Sequence, residues 1–587
     1  MAIALSFMPA NLLGVTSVSH FLIGCLSLLA LYLIYRRALP QPLDGIPYHA
    51  ASARKLFGDV PGMLSHIAQD EGTFITYLVN SIHQLEAPLV QVFIKPFSKP
   101  LLILSDFQEA HDIMTRRTKE FDRSTSSGDL VRGLGPKHHI HLKTTPVWRA
   151  QRRLVQDLMT PAFLNEVASH AIHQNACVMV ELWRVKSKLA AGRPWSASGD
   201  IDQVALDAVL SFAFGSSFGE KHSSMRPALA AVKCLSVVES DKSSAELPVQ
   251  FPSGDVDEVI RATLELVATV EQVQGSPVPN LKWAYVNSLP RIRRATNIKE
   301  KYIKHELADA IQRLATSNSE HVKSAVDHMV FRERMLAEKD VRRPDFYSRV
   351  MMDEIFGFIV AGNDTSSTTI SWGLKYLADN AAAQIRLRKA LEQAHNTAKL
   401  EHRDPTIHEI TRTLIPYLDA TIEEILRCAA SVPVVDRQAT VDTTLLGHFI
   451  PKDTVVTCLV TGPSMLSPAL PIPDSLRSDV SSATKPRAWD SSGMAAFNPS
   501  RWLVQGDKGE EFDPNAGPQL AFGAGVRQCY GKRLAYLEIR ILVSLIIWNF
   551  ELLECPAALS GDKPTLIMTN RPKDCYVTLR EVDRTKK

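Results

Sequence analysis

Residues 522–531, FGAGVRQCYG, hold one cysteine within a glycine-rich stretch near the end of the 587-residue chain. A cysteine just ahead of a buried helix receives backbone N–H groups and the positive end of the helix dipole. Both favour the thiolate, which is a strong iron ligand. The glycines let the backbone turn sharply and approach a flat partner, and Arg527 could pair with a carboxylate on that partner. Taken alone, a single cysteine of this kind is more typical of a small buried apolar side chain.

A second candidate is the hexapeptide AGNDTS, residues 361–366, inside an apolar-periodic segment. Gly362 removes side-chain bulk, so a ligand could lie against the backbone. Asp364 and Thr365 offer a carboxylate and a hydroxyl side by side, and a mid-helix threonine hydroxyl competes for backbone carbonyls. By itself, the hexapeptide is more typical of a capping or loop Asp-Thr pair.

Three further patterns carry charge at helical or strand spacing. Glu424 and Arg427 are three residues apart, hence neighbours on one helix face, although a surface ion pair of little energetic worth has the same pattern. Trp148 and Arg152 are four apart on a predicted helix, which could also be a basic amphipathic helix. Arg437 in PVVDRQAT could be a ligand-binding or a lone surface arginine.

The elements that must position these residues are mostly helices. Residues 345–404 contain no proline and carry apolar residues at helical spacing. Residues 439–460 are rich in Thr, Val and Ile between turn residues, which predicts short paired strands. Residues 461–495 are typical of a long loop, and the apolar segment after Cys529 predicts a buried helix. The sequence therefore predicts a mainly α fold with a minor β part.

The N-terminal segment predicts a membrane anchor. Residues 15–35 form an uncharged, largely apolar run long enough to cross a hydrocarbon core of ~30 Å. Arg36 and Arg37 follow, so the positive-inside rule places the rest of the chain on the cytoplasmic side. A signal peptide or a buried core helix are the alternatives, but a basic start and a small-residue cleavage site are missing. We expect an anchor (1–37), a proline-rich hinge (38–48) and one large domain (49–587).

Composition and two charged segments exclude other classes. A net charge of +3 gives no argument for nucleic-acid binding, and eight cysteines without paired short spacings do not form a disulfide framework. Residues 291–305, RIRRATNIKEKYIKH, lack the aromatic residues of a nucleic-acid binder and predict a charged helix face. Residues 137–141, KHHIH, have no second cluster at ligand spacing, so we predict a solvated loop.

The cysteine stretch matches a known pattern. Phe522, Gly525, Arg527, Cys529 and Gly531 resemble the heme-binding signature of the cytochrome P450 superfamily at every defining position. The chain also presents the elements of a membrane-bound fungal member in the family's order, from the anchor and hinge to the cysteine loop. The resemblance implies a single large helical domain with small β-sheets after a transmembrane helix. The domain 49–587 would then be the heme-thiolate catalytic domain.

The same resemblance implies roles for individual residues. Cys529 would ligate the iron, and Asp364 with Thr365 would relay protons during oxygen activation. The residues expected to hold the heme are Phe522, Gly525, Arg527, Trp148, Arg152 and Arg437.

FNPSRW, residues 497–502, is similar to the family segment that brings a second arginine, here Arg501, onto the Glu424–Arg427 pair as a structural lock. Ser500 stands where the family commonly has glutamate, which weakens that match.

The implied function is a heme b monooxygenase that inserts one oxygen atom from O2 into a lipophilic substrate, in fungal terpenoid or polyketide biosynthesis. Since the chain has no flavin or nicotinamide motif, electrons would come from NADPH through a separate flavoprotein reductase. The expected location is the endoplasmic reticulum membrane, single-pass, with the catalytic domain cytoplasmic and no nucleic-acid partner. The alternatives are a fatty-acid or xenobiotic hydroxylase, a P450-fold isomerase or dehydratase, a non-catalytic heme carrier or sensor, and an anchored interaction protein without heme.

Overall fold

The computed structural model describes residues 11–584 except 71, 125, 216–217, 219–220, 236–246, 277, 316–321, 479–488, 490–492, 508 and 567. The first ten residues of the predicted anchor and part of the predicted loop 461–495 therefore lie outside the described residues.

Helices dominate the described chain. They are α1 (Asn11–Ala38), α2 (Val60–Asp70), α3 (Phe74–Leu85), α4 (Phe107–Thr115), α5 (Ser126–Asp129), α6 (Pro146–Val155), α7 (Pro161–Phe163), α8 (Ser169–Ala190), α9 (Ser198–Phe214), α10 (Met225–Lys233), α11 (Glu258–Val273), α12 (Pro279–Ser288), α13 (Pro290–Ala315), α14 (Ala325–Lys339), α15 (Arg349–Asp379), α16 (Ala381–Ala394), α17 (Asn396–Leu400), α18 (Ile407–Arg412), α19 (Pro416–Ala429) and α20 (Lys532–Asn549).

The strands are short and fall into small sheets. They are β1 (Leu89–Val92), β2 (Leu101–Leu104), β3 (Phe121–Arg123), β4 (Trp195–Ser196), β5 (Val434–Ala439), β6 (Thr443–Leu445), β7 (His448–Ile450), β8 (Val455–Leu459), β9 (Leu503–Gly506), β10 (Gly509–Phe512), β11 (Phe550–Leu553), β12 (Pro564–Leu566), β13 (Asn570–Pro572) and β14 (Tyr576–Glu581). The largest sheet has the order β1-β2-β8-β5-β3, in which β2 and β8 are parallel and the other neighbours are antiparallel. A three-stranded sheet has the order β11-β14-β4, and β6–β7, β9–β10 and β12–β13 form hairpin pairs. The mainly α fold with a minor β part is confirmed.

Helix α15 is the central element that carries the AGNDTS segment. It begins after Ser348, whose hydroxyl accepts a hydrogen bond from the Met351 N–H, and continues for 31 residues. It packs against α9, α19 and α20, and most of its side chains are buried. At Gly362 an added Cβ would lie 2.6 Å from Val209 of α9, so this glycine is what lets the two helices approach.

The predicted buried helix after the cysteine is α20. Its residues from Glu538 to Asn549 are buried apart from Arg540, as the apolar pattern predicts. The helix begins at Lys532, three residues after Cys529, and therefore directs its first N–H groups toward the cysteine loop.

The N-terminal helix α1 is longer than the predicted run 15–35. Its part His20–Ala38 is long and apolar enough to cross a membrane by length and composition, and its side chains are almost all exposed. The predicted hinge contains no helix or strand beyond Ala38 and packs against the domain. The Gln91 side chain accepts from the Leu43 N–H and donates to the carbonyls of Leu43 and Ile46, which fixes the hinge to β1.

Candidate active site

A cavity of about 400 Å³ lies where the cysteine loop, α6, α15, α20 and β5 meet. Cys529 lines it from one side, and Phe358, Gly362 and Thr365 of α15 line it from another. The cavity therefore brings the two strongest sequence candidates, from distant parts of the chain, into one space.

The cysteine loop has a fixed backbone. The Cys529 N–H donates to the Phe522 carbonyl at 2.8 Å, which closes the loop. Gly523 and Gly525 adopt positive φ values of 61° and 70°, a conformation that favours glycine. Gly523 lines the cavity, whereas an added Cβ on Gly525 would lie 2.1 Å from the Met114 carbonyl oxygen. Gly525 therefore lets the loop pack on α4 instead of facing a ligand directly.

Two opposing effects act on the Cys529 thiol. Burial raises its pKa above the ordinary value, while the backbone N–H groups of Gly531 and Lys532 and the charges of Arg152 and Lys532 lower it. The lowering contributions are those that the sequence predicts for a cysteine at a helix start, but burial outweighs them. A metal ion bonded to the sulfur would reverse this balance, because coordination deprotonates a thiol.

Four arginines line the cavity around the loop, and we call Arg123, Arg152, Arg437 and Arg527 the open cluster. Among the described residues, none of them forms an ion pair with a carboxylate. Burial and the charges of the other three lower the pKa of Arg527 to about 9. Burial also lowers the pKa of the other members. Such unneutralised cations favour an anionic ligand.

Buried donors without a partner point in the same direction. The Nη1 of Arg527, the Nε of Arg123 and the indole Nε1 of Trp148 are buried and donate to no described group. Trp148 also lies between two cations, with the guanidinium carbons of Arg527 and Arg152 at 4.5 and 5.7 Å from its ring centroid. Because native proteins rarely leave buried donors unsatisfied, these residues fit a heme, whose macrocycle carries two carboxylates.

Phe522 forms part of the cavity wall next to the loop. Its ring packs against Tyr536 with the centroids 5.3 Å apart, and the Lys532 ammonium lies 5.8 Å from its centroid. This contact joins the loop to the first turns of α20.

Asp364 and Thr365 point in different directions. The Thr365 hydroxyl donates to the Ala361 carbonyl at 2.8 Å, and the residue lines the cavity. The Asp364 carboxylate accepts from the Thr569 hydroxyl at 2.7 Å and does not line the cavity. Burial raises the pKa of Asp364, and the Thr569 hydrogen bond with the Arg571 charge opposes that shift. The pair therefore joins the cavity to a buried acid behind it.

A buried acid that the sequence did not indicate lies beside them. Ser366 donates to the Glu538 carboxyl at 2.7 Å, and both residues line the cavity. The second carboxyl oxygen of Glu538 is buried without a partner, and burial raises the pKa of Glu538 to about 8. A neutral glutamic acid at ordinary pH follows. The signal in the sequence is one acidic residue in the otherwise apolar part of α20.

The prediction of a solvated loop for KHHIH is wrong. The His138 and His139 side chains are only 12% and 13% exposed and lie against the fully buried Glu354 of α15. Glu354 accepts from the His139 N–H at 2.8 Å, and its other oxygen lies 2.7 Å from Nδ1 of His139. The loop is buried because a carboxylate 215 residues away satisfies it.

His138, His139 and Glu354 place one ligand atom each within 4.8 Å of one another. Their surroundings oppose a cation, since burial and the charges of Arg152, Arg527 and Arg123 lower the pKa of His139 to about 3. The arrangement is therefore a hydrogen-bonded clamp that holds the loop against α15.

A second set of arginines has its partners inside the protein, and we call Glu424, Arg427 and Arg501 the closed cluster. Arg427 donates to both carboxylate oxygens of Glu424 at 2.8 and 2.9 Å, and Arg501 donates to one of them at 3.0 Å. The Trp502 indole N–H and the Asn498 N–H complete the Glu424 shell at 2.9 Å each. The structure thus brings together all three residues in the predicted arrangement.

Ser500, where the family commonly has glutamate, lies beside this cluster. Its hydroxyl accepts from Arg386 at 2.9 Å, and the other terminal nitrogen of Arg386 pairs with Glu510 at 2.6 Å. Arg386 of α16 therefore contacts the serine that stands at this position.

Most of the predicted site residues meet at the cavity, but sequence reasoning missed several. Cys529, Phe522, Arg527, Trp148, Arg152, Arg437 and Thr365 line it, whereas Gly525 and Asp364 do not. The residues missed are Arg123, His138, His139, Ser366 and Glu538. Arg123 carried no signal in the sequence, since a single arginine at the end of a short strand such as β3 is common on protein surfaces.

Comparison with known proteins agrees with this geometry. The family model described as Cytochrome P450 matches residues 61–465 and 489–577. Cytochrome P450 monooxygenase TRI13 of Fusarium sporotrichioides is 41% identical over 96% of this chain and 100% of the relative. Cytochrome P450 monooxygenase GME11363 of Pestalotiopsis microspora is 35% identical over 95% of this chain and 97% of the relative.

A solved structure shows the same fold. The crystal structure of the cytochrome P450DA heme domain has a TM-score of 0.64 at 16% identity and covers 94% of this chain and 100% of that chain. Together with the thiol, the unpaired arginines and the cavity between them, these matches confirm the resemblance: the chain belongs to the cytochrome P450 family and is a P450 monooxygenase.

Proposed function

We propose that this monooxygenase inserts one oxygen atom from O2 into a lipophilic specialised metabolite of the fungal terpenoid or polyketide class. The observation that carries the proposal is the shared cavity, in which the Cys529 thiol and the Thr365 hydroxyl face a wall of apolar side chains. That wall includes Ile140, Val209, Phe358, Val432, Val434 and Val435. An apolar wall favours a substrate without charge, because an unpaired charge would lose its hydration there.

The relatives support a role in fungal specialised metabolism. The two relatives described above, which match nearly the whole chain, are fungal monooxygenases, and the name of a partial match from Dothistroma septosporum assigns that protein to a cluster. Assignment to a cluster favours a dedicated biosynthetic enzyme over a general fatty-acid or xenobiotic hydroxylase.

Different residues of the cavity would bind the heme and deliver protons. Cys529 would bind the heme iron, while the open cluster and the Trp148 indole would hold the two heme carboxylates. When bound, the heme supplies the oxidising chemistry with O2, and a thiolate ligand favours O–O cleavage. Thr365 would hold a proton donor in the cavity, and Asp364, held by Thr569, would supply that proton from behind the helix.

The proposal also includes an electron donor and a membrane location. We propose an NADPH-dependent flavoprotein reductase as the electron donor. Residues 1–37 would anchor the protein in the endoplasmic reticulum membrane, with the domain from 49 to 587 in the cytoplasm. The apolar helix His20–Ala38 and the basic pair Arg36 and Arg37 at its end support that orientation.

The first test is a reduced, carbon-monoxide-treated difference spectrum of the purified full chain, followed by product analysis with terpenoid and polyketide precursors in the presence of reductase. Cys529→Ser should abolish the thiolate spectrum and all turnover. A Cys529→Ser protein with wild-type spectrum and products would contradict the proposal.

Thr365→Ala addresses the proton role. We expect the heme spectrum to remain and product formation per NADPH consumed to fall about tenfold or more. Conversion of substrate without any NADPH consumption would instead identify an isomerase or dehydratase.

A further inference from the structure

A second cavity of about 360 Å³ lies outside the heme site, between α13, α11, the end of α12 and the loop before α6. The buried apolar residues Leu134 and Leu266 line it, and we call them its floor, whereas Asn297 and Arg293 line it as exposed polar residues. The paired side chains of Glu300 and Arg349 line it as well. Among the described residues, none lines both cavities. It is therefore a separate site with an apolar base and a polar mouth.

A lysine occupies a core position at this cavity. The buried stripe of α13 consists of Ile292, Ala295, Lys299, Ile303, Leu307, Ala310 and Leu314. Lys299 is 6% exposed, and its ammonium lies 4.5 Å from the ring centroid of Phe356 of α15. A lysine in an apolar stripe is costly unless its charge has a partner, so its presence calls for one.

The carboxylates near Lys299 are already engaged. Arg349 donates to Glu300 at 2.5 Å and to Asp353 at 2.7 Å, and Asp353 also accepts from the Lys137 N–H at 2.8 Å. Within the part of the chain that the structure describes, Lys299 forms no ion pair. Burial, and next the charge of Arg349, lower the pKa of Lys299 to about 8, while the charges of Glu300 and Asp353 oppose that shift.

The mouth of the cavity adds a second cation. Arg293 lines the cavity, is exposed and forms no ion pair with a described residue, and it precedes Lys299 by six residues on α13. A carboxylate between these two side chains would gain two charge-assisted contacts, while an attached apolar body would cover Leu134 and Leu266.

We propose that this cavity is a binding site for a small organic carboxylate, with Lys299 holding the carboxylate group and the apolar floor holding its body. The site is independent of heme and of the substrate in the first cavity. Inorganic anions lack the apolar body and should bind much more weakly.

Pyridoxal phosphate, an organic anion with an aldehyde, tests the site in the full-length protein without any variant. The neutral Lys299 amine adds to the aldehyde carbon, water leaves, and hydride from added borohydride reduces the C=N bond to a stable amine. Peptide mapping should find Lys299 labelled roughly tenfold faster at neutral pH than the exposed Lys301 of the same helix. Equal labelling of both, or none at Lys299, would overturn the proposal.

Protection identifies the ligand chemistry. Benzoate should slow labelling of Lys299 but not of Lys301, and acetate at the same concentration should have little effect. Arg293→Ala should weaken benzoate protection about tenfold, and Lys301→Met is the matched control that should leave it unchanged. Equal protection by acetate and benzoate would overturn the apolar part of the proposal, and no protection by either would overturn the site.

Discussion

The closed and open clusters both contain buried arginines, but they differ in whether the arginines have hydrogen-bond partners inside the protein. In the closed cluster, both oxygens of Glu424 are taken by arginine, indole and backbone donors, and Arg427 is fully buried. In the open cluster, Arg527 and Arg123 keep buried nitrogens without a described partner. The burial of an arginine therefore does not indicate a binding site. A buried arginine without a partner among the described residues does.

The clusters also differ in what their removal should do. A buried ion pair that loses one member leaves a charge without compensation, which costs far more than the pair contributes. Cations that face a cavity repel one another until a ligand neutralises them, so removing one relieves repulsion in the heme-free protein. Substitutions in the closed cluster should therefore affect folding, and substitutions in the open cluster should affect ligand binding.

Glu424→Ala should have the largest effect. It leaves Arg427 and Arg501 without their shared carboxylate, and we expect the free energy of unfolding to fall by about 3–5 kcal/mol. The measurements are soluble yield and urea unfolding. Wild-type stability in this variant would contradict the structural role assigned to the closed cluster.

Glu538→Gln should make stability less dependent on pH. The pKa of Glu538 is raised from 4.5 to about 8, so its contribution is fully present below pH 4.5 and is lost as the pH rises through about 8. As the pH rises from about 5.5 to 7.5, the free energy of unfolding of the wild type should fall by roughly 2–3 kcal/mol relative to that of the variant. Glutamine can still accept the Ser366 hydrogen bond. The measurement is the free energy of unfolding in urea as a function of pH, and parallel curves for the two proteins would show that the Glu538 carboxyl is not protonated.

Arg527→Met should separate binding from folding. We expect heme affinity to fall about 10- to 100-fold, because one charge-assisted contact is worth about 1.5–3 kcal/mol. The unfolding free energy of the heme-free protein should stay the same or rise, since the repulsion from Arg123, Arg152 and Arg437 is relieved. Heme titration and urea unfolding measure the two quantities, and a loss of stability without a loss of affinity would reverse the comparison.

Arg580→Ala is the control with the smallest expected effect. Arg580 pairs with Glu551 at 3.0 Å, but its side chain is 66% exposed. We expect a change of about 0–1 kcal/mol in unfolding free energy and no change in heme affinity. A cost comparable to that of Glu424→Ala would mean that ion pairs in general, and not burial with shared partners, stabilise this fold.

The sequence by itself determined the chemistry and the fold class. Cys529 with its glycines indicated an iron ligand, and helical periodicity in 345–404 and β-rich composition in 439–460 predicted α15 to α17 and the strands β6 to β8. These signals are local, because side chains a few residues apart decide whether a segment buries one face of a helix or of a strand.

Only the tertiary structure decided which groups have partners. The Glu424–Arg501, Asp364–Thr569 and His139–Glu354 contacts join residues 77, 205 and 215 positions apart. No periodicity encodes such a pairing, which is why KHHIH was wrongly expected to be solvated. The cationic wall of the heme cavity and the buried Lys299 exist for the same physical reason: packing brings charges together, and the energy of a buried charge depends on every neighbour within a few ångströms.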